Sequence, residues 1–119
     1  EVSVQLKGGE TIVTTTDLNL LNELALKIGA DAVLLINSED ITLVVDVDAE
    51  KFSARNRLVC HVLTIQQNAV NVDVTLLLPS GETLISSISE QSLQNLQLAV
   101  GKEVLVIFKT NVPHLGIRT

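Results

Sequence analysis

Residues 1–44 recur at 73–116 without a gap, so that each position i finds its counterpart at i+72. Ten pairs are identical: Val2/Val74, Leu6/Leu78, Gly9/Gly81, Glu10/Glu82, Thr11/Thr83, Leu21/Leu93, Leu24/Leu96, Leu26/Leu98, Gly29/Gly101 and Leu43/Leu115. A shared Gly-Glu-Thr turn and leucines at matching intervals mean that one supersecondary unit is built twice, and stacked repeats of this kind bury their apolar faces on each other. The copies are unequal, because residues 53–72 lead into the second and nothing equivalent stands ahead of Glu1. Together with the absence of an initial Met, this reads as a piece of a longer protein that enters partway through its first repeat. The expected division is a partial, degenerate repeat with its connector at 1–50 and a complete repeat at 51–119.

A unit near 70 residues lies at the lower edge of independent stability, so two such units are expected to lean on each other. The 46% hydrophobic content is almost wholly Val, Leu, Ile and Ala, with two Phe and no Trp, Tyr or Met. Such an aliphatic, β-branched core favours sheet. The longest apolar runs, 32–36 and 104–108, fall far short of the roughly 20 residues needed to span a bilayer as a helix. A single cysteine, Cys60, can form no internal disulfide, which fits a reducing, cytoplasmic setting. The formal charge of −6 and the scattered basic residues argue against a nucleic-acid surface. Phe52 and Phe108 alone are also too few to form the stacking platforms of single-strand binders. No direct nucleic-acid or membrane contact is expected.

In the second copy, alternation predicts strands at 57–65 and 70–78, joined by a turn at 66–69. A third strand follows the Pro79-Ser80-Gly81 turn at 83–88, after which the period lengthens. Leu93, Leu96 and Val100 fit a short helical face with Ser89 as its N-cap. Two more strands are expected at 103–109 and 112–117. Five strands with a short helix after the third describe a small OB-like β-barrel. The first copy offers the same series from its second strand onward, at 2–6, 11–16, a helix over 18–24, 32–36 and 41–45. The whole is therefore expected to be all-β, a tandem pair of five-stranded OB-like barrels with the first copy lacking its first strand. The resulting open sheet edge must be covered by a strand from elsewhere.

No catalytic constellation stands out, and no protein metal site is expected. His61 and His114 sit alone in strands, without the orienting partner that acid–base catalysis uses. Cys60 reads as a packed small hydrophobe, and Asp46 and Asp48 as a solvated face. What does stand out is a set of anion donors. Ser53-Ala54-Arg55-Asn56 opens the second repeat, Ser89 and Ser92 begin its helix, and Lys109 ends its fourth strand. A helix N-terminus favours negative charge, Arg55 offers a planar fork for two oxygens, and Lys109 adds a compact cation. The first copy has lost this set: Asp17 replaces Ser89, Leu20 replaces Ser92, Asn37 replaces Lys109, and the Ser-Ala-Arg-Asn segment is missing.

The run from Ser53 to Val112 closely resembles the Mop/TOBE domain family, small OB-like domains that bind molybdate and tungstate. The marks are SARN at 53–56, AVNVDV at 69–74, the Gly81-Glu82 turn, Ser89 and Ser92 ahead of Leu96 and Leu98, and Gly101-Lys102 leading to the Lys-Thr-Asn-Val at 109–112. The first copy resembles the remainder of a second, divergent domain, so the piece is similar to the paired arrangement of molbindins and of the molybdate-responsive regulator's effector domain. The resemblance implies molybdate or tungstate as ligand, with sites between domains or subunits. Ser53, Arg55 and Lys109 would come from one domain, and Ser89, Ser92 and the backbone of Leu93 from its neighbour. It implies a homo-oligomer, at least a dimer, serving storage, sensing or transport regulation. The rival reading is a ligand-independent oligomerisation or regulatory TOBE module of a transporter ATPase or a transcriptional regulator. Two positions depart from the pattern, since the family usually has glycine where Cys60 and Asn68 stand.

Overall fold

The computed structural model describes residues 1–24, 26 and 28–117. The first repeat supplies β1 (Val2–Gln5), β2 (Thr11–Thr14), α1 (Leu18–Glu23), β3 (Val33–Leu35) and β4 (Thr42–Val44). The second supplies β5 (Asn56–Gln67), β6 (Val72–Leu77), β7 (Thr83–Ile88), α2 (Glu90–Asn95), β8 (Glu103–Phe108) and β9 (His114–Gly116). Every expected strand and both helices are present, most of them trimmed by one or two residues. Two single 3-10 turns, Ser38–Asp40 and Ala49–Lys51, were not expected. The second lies in the acidic connector, where Asp48 caps it by accepting from the Glu50 N–H at 3.0 Å.

The repeated glycines have a conformational cause. Gly9, Gly29, Gly81 and Gly101 all have φ between 90° and 95°, a region closed to side chains with a Cβ at little cost only to glycine. The first and third of these close the hairpins β1–β2 and β6–β7 through matching bonds, Gly9 N–H to Leu6 O at 3.0 Å and Gly81 N–H to Leu78 O at 2.9 Å. The helices match as well. Asp17 accepts from the Leu20 N–H at 2.7 Å and Ser89 from the Ser92 N–H at 3.0 Å. At the far end of α2, Lys102 Nζ donates to the carbonyls of Leu96 (2.7 Å) and Gln97 (3.2 Å), satisfying the negative end of the helix.

The expected tandem, OB-like all-β architecture is present, and the structure adds that the two repeats share their closing strands. The main sheet runs β4-β8-β5-β6-β7, so its first strand comes from the other repeat, while β9 leaves to pair with β3. Both pairs are antiparallel, with Leu34 opposite Leu115 and Leu43 opposite Val106. Adding 72 to Leu34 and subtracting 72 from Leu115 converts the first pair into the second. The two repeats thus exchange their last strands about an internal two-fold. Side chains hold the crossing segments in mirrored fashion. Thr14 Oγ1 donates to Pro113 O at 2.8 Å and Ser86 Oγ to Ile41 O at 3.0 Å. Thr15 Oγ1 meets Thr110 Oγ1 at 2.7 Å, as Ser38 Oγ meets Ser87 Oγ at 3.2 Å.

β5 is the strand that coils the sheet. Its first half pairs β8, from Asn56 opposite Phe108 to His61 opposite Glu103, and its second half pairs β6. The register slips between Val62 and Thr64, a bulge that bends the strand from one neighbour to the other. Asn56, Leu58, Cys60 and Val62 face the core, which also holds Val72, Val74, Leu76, Val104, Val106 and Phe108. Cys60 is fully buried, as read from the sequence, and burial, with a smaller contribution from the Glu10 carboxylate, pushes its thiol up from 9.0 to about 12.

Two outcomes follow from this packing. Near the two-fold, Gly8 lies against its own counterpart Ser80, and a Cβ on Gly8 would overlap the Cα and Cβ of Ser80. Gly8→Ser, which would make the two turns identical, is therefore expected to destabilise the fold by about 1–3 kcal/mol in urea unfolding, the usual cost of overpacking. Cys60 should resist thiol reagents in the native state at neutral pH. Because its folded pKa lies above the unfolded one, the unfolded chain loses its proton first, so stability should fall as pH rises from 9 towards 12. Cys60→Ala should flatten that part of the stability profile.

Candidate functional site

Strand register assembles the cationic half of the site. With Asn56 opposite Phe108 in an antiparallel pair, the residues just before Asn56 run beside those just after Phe108. Ser53, Ala54, Arg55, Lys109, Thr110 and Asn111 accordingly line one open depression. Three of the six sequence-predicted residues, Ser53, Arg55 and Lys109, are thereby brought together.

The anchor of this cluster is Asn56, whose role the sequence reading did not assign. Its carboxamide is 1% exposed and acts as a one-residue strand. Oδ1 accepts from the Val13 N–H at 2.7 Å and Nδ2 donates to Val13 O at 2.7 Å. The second repeat's leading segment is thus bolted to β2 of the first, with Arg55 immediately beside the bolt. The available signal was an amide-bearing residue at the first position of an otherwise apolar inward face.

Arg55 is not idle. Its Nη1 contacts both carboxylate oxygens of Glu1 at 2.5 Å. The donor set therefore has an acidic neighbour that the sequence reading did not foresee, because the two residues are far apart in the chain. Both side chains are about half exposed, and a pair in that setting contributes at most about 1 kcal/mol. An anion of higher charge can displace it.

The second half lies elsewhere. Ser89 Oγ accepts from the Ser92 N–H and contacts Ser92 Oγ, both at 3.0 Å. The Leu93 N–H closes the first helical turn on Ser89 O at 3.1 Å, so the N–H groups of α2 left without an intrahelical partner are those ahead of it. Ser89, Ser92 and Leu93 do not line the depression of Arg55 and Lys109.

What adjoins the cationic cluster inside the chain is the stretch leading into α1. A second depression is lined by Thr15, Thr16, Asp17, Asn19, Leu20 and Glu23, and the Thr15–Thr110 bonds join its rim to that of the first. Here Asp17 already takes the Leu20 N–H, and two carboxylates border the hollow. By the two-fold, the serine-capped α2 faces the stretch that carries Asn37 and Ser38, where the second repeat has Lys109 and Thr110. Each junction within the chain therefore joins one half that keeps the expected donors to one that lacks them.

The TOBE domain pattern matches residues 53–114, more than half of the chain. The chain belongs to the TOBE domain family. It is 35% identical over 109 residues to a molybdenum transport protein, ModE, of Herbaspirillum seropedicae, which covers 92% of this chain and 40% of the relative. A probable molybdenum-pterin-binding protein of Haemophilus influenzae is 36% identical over 67 residues, 56% of this chain and 97% of the relative. Among solved structures, the cytoplasmic molybdate-binding protein ModG with molybdate bound superimposes with a TM-score of 0.90 at 28% identity, covering 98% of this chain and 82% of that one. This TOBE chain thus spans about two-fifths of the ModE length, and the paired barrel architecture agrees with ModG. Among the described residues, no helix is long and apolar enough to cross a membrane, and no cluster of His, Cys, Asp and Glu suited to a bare metal ion is present.

Asn56→Ala should leave the Val13 N–H and C=O without protein partners. The expected loss is about 1–3 kcal/mol of stability in denaturant unfolding, while Asn56→Asp, which keeps the acceptor and loses the donor, should behave almost as badly.

Proposed function

We propose that this chain binds molybdate or tungstate as an intact oxoanion, at junctions between copies of itself, in the service of molybdenum storage, sensing or transport regulation. The observation that carries this reading is the register that sets Arg55 beside Lys109, with Ser53 lining the same depression. Arg55 would donate two parallel bonds to adjacent oxygens of the dianion, and Lys109 would neutralise the remaining charge. Hydroxyls of Ser53, Ser89 and Ser92 would replace the hydration shell, and the backbone at Leu93, whose N–H closes on Ser89 O, would contribute through the positive end of the helix. Nothing in this scheme breaks or forms a covalent bond, so the chain acts as a binder and not as an enzyme.

The site is completed between chains because of how the halves are distributed. Within one chain the cationic cluster meets an aspartate-capped helix, and the serine-capped helix meets an asparagine in place of lysine. Only a second copy can present Ser89 and Ser92 to Arg55 and Lys109. A homo-oligomer, at least a dimer, is therefore part of the proposal, as are repeat limits near 50/51. The relatives named for molybdenum transport and molybdate binding support this reading over a scaffold indifferent to ligand. A cytoplasmic location agrees with ModG and with the buried, unpaired Cys60.

Isothermal calorimetry on the assembled protein should detect molybdate and tungstate binding. Arg55→Ala should weaken it by about 10- to 100-fold, the worth of a charge-assisted pair of hydrogen bonds, and Lys109→Ala should act in the same direction. Unchanged affinity in both variants, or an oligomer that binds neither anion, would refute the assignment.

A further inference from the structure

The segment that carries Ser53 and Arg55 lies ahead of the ladder, because pairing with β8 begins at Asn56 opposite Phe108. Its shape is therefore set by what holds its two ends. One end is fixed by the Asn56 carboxamide on Val13. The other is held by a residue to which the binding reading gives no part.

That residue is Arg57. It follows the buried Asn56 and is exposed, so strand alternation places it on the opposite, solvent face of β5. Its Nη1 reaches back along the chain and donates to Ala49 O at 3.1 Å and to Phe52 O at 3.5 Å. These carbonyls belong to the 3-10 turn Ala49–Lys51 and to its C-cap. Asp48 caps the start of that turn, and the Lys51 N–H on Asp48 O (3.2 Å) and the Phe52 N–H on Ala49 O (3.5 Å) close it. A cationic side chain at the end of a helical turn is suited to its last carbonyls. Lys102 does the same for Leu96 and Gln97 at the end of α2.

Arg57 thus closes a loop over residues 52–57, with Ser53, Ala54 and Arg55 at its bend. Asn56 pins this loop from the buried face of the sheet and Arg57 from the exposed face. Held from both sides, the segment resists rotation about its own axis, and Ser53 and Arg55 stay on the depression they share with Lys109. Arg57 is not among the residues that line that depression, so its influence passes through its neighbours.

From this geometry we infer that Arg57 is a positioning residue for the oxoanion site: its grip on Ala49 and Phe52 sets the Ser53–Arg55 segment in its binding shape before the anion arrives. The role in binding rests on the oxoanion reading, whereas the grip rests on hydrogen-bond geometry alone. A segment ordered in advance spares the complex part of the ordering cost of association. The turn in the acidic connector acquires a function in the same step, since it is what brings the carbonyls of Ala49 and Phe52 together.

Two measurements on the full chain separate the grip from its use. In the ligand-free protein, backbone amide relaxation by NMR should give order parameters of about 0.85 at residues 53–55, falling below about 0.6 in Arg57→Ala while residues 58–62 keep their values. Arg57→Lys, which retains a cation able to take two carbonyls, should restore most of the order. By calorimetry, Arg57→Ala should weaken molybdate binding about 3- to 10-fold, the cost of ordering a segment and its side chains on binding, and Arg57→Lys should recover most of it. Introduced into Arg55→Ala, the same change should add little, because a positioning residue has small effect once the residue it positions is gone; a cation acting directly on the anion would multiply the loss. A wild-type assembly that binds neither molybdate nor tungstate would overturn the oxoanion reading. With binding intact, unchanged order at 53–55 in Arg57→Ala, undiminished affinity, or a loss that persists in full beside Arg55→Ala would each overturn this inference alone.

Discussion

Reciprocal exchange of the closing strands is the constraint on which the rest of the molecule depends. A strand of three residues such as β9 or β4 has no stability alone, and each gains it only by pairing with the fourth strand of the opposite repeat. Because the pairs Leu34–Leu115 and Leu43–Val106 are images of each other, the repeat is a symmetry element of the fold as well as a pattern in the chain. The hydroxyl bonds of Thr14, Thr15, Ser38 and Ser86 then serve both sides of the same axis.

Symmetry also explains where the chain must break it. At the axis, two copies of one turn approach so closely that only one can carry a side chain, hence Gly8 against Ser80. At the two helix starts, divergence has a chemical result. A serine cap and an aspartate cap stabilise a helix start equally well, but only the neutral one leaves the positive end of the helix available to an anion. The first repeat keeps the cap as a structural device, with a carboxylate at the positive end of its helix.

Much of the architecture was legible from alternation and turn residues. The third strand of the second repeat, Thr83–Ile88, was read to the residue, and Ser89 was recognised as a cap, because both are local facts of period and chemistry. The exchange was not legible. Alternation specifies which face of a strand is buried, and the apolar rows of β4 and β9 satisfy that requirement equally well in either barrel. The 3-10 turns were missed because three residues carry no period. Of the candidate site, Ser53, Arg55 and Lys109 line one depression as the motif grouped them, whereas the partners of Asn56 and Arg55, Val13 and Glu1, lie more than 40 positions away, and a single sequence does not name them.

The exchange of β4 and β9 between the two halves bears on how the polypeptide is made. Residues 33–44 leave the ribosome before their partners at 105–116, so β3 and β4 cannot form their pairs with β9 and β8 until that distant stretch has been synthesised. Pairings this distant raise contact order and slow folding. During that interval the nascent segment would expose aliphatic strand edges to whatever is nearby, and a chaperone or a neighbouring nascent chain of the same kind would be the first to meet them.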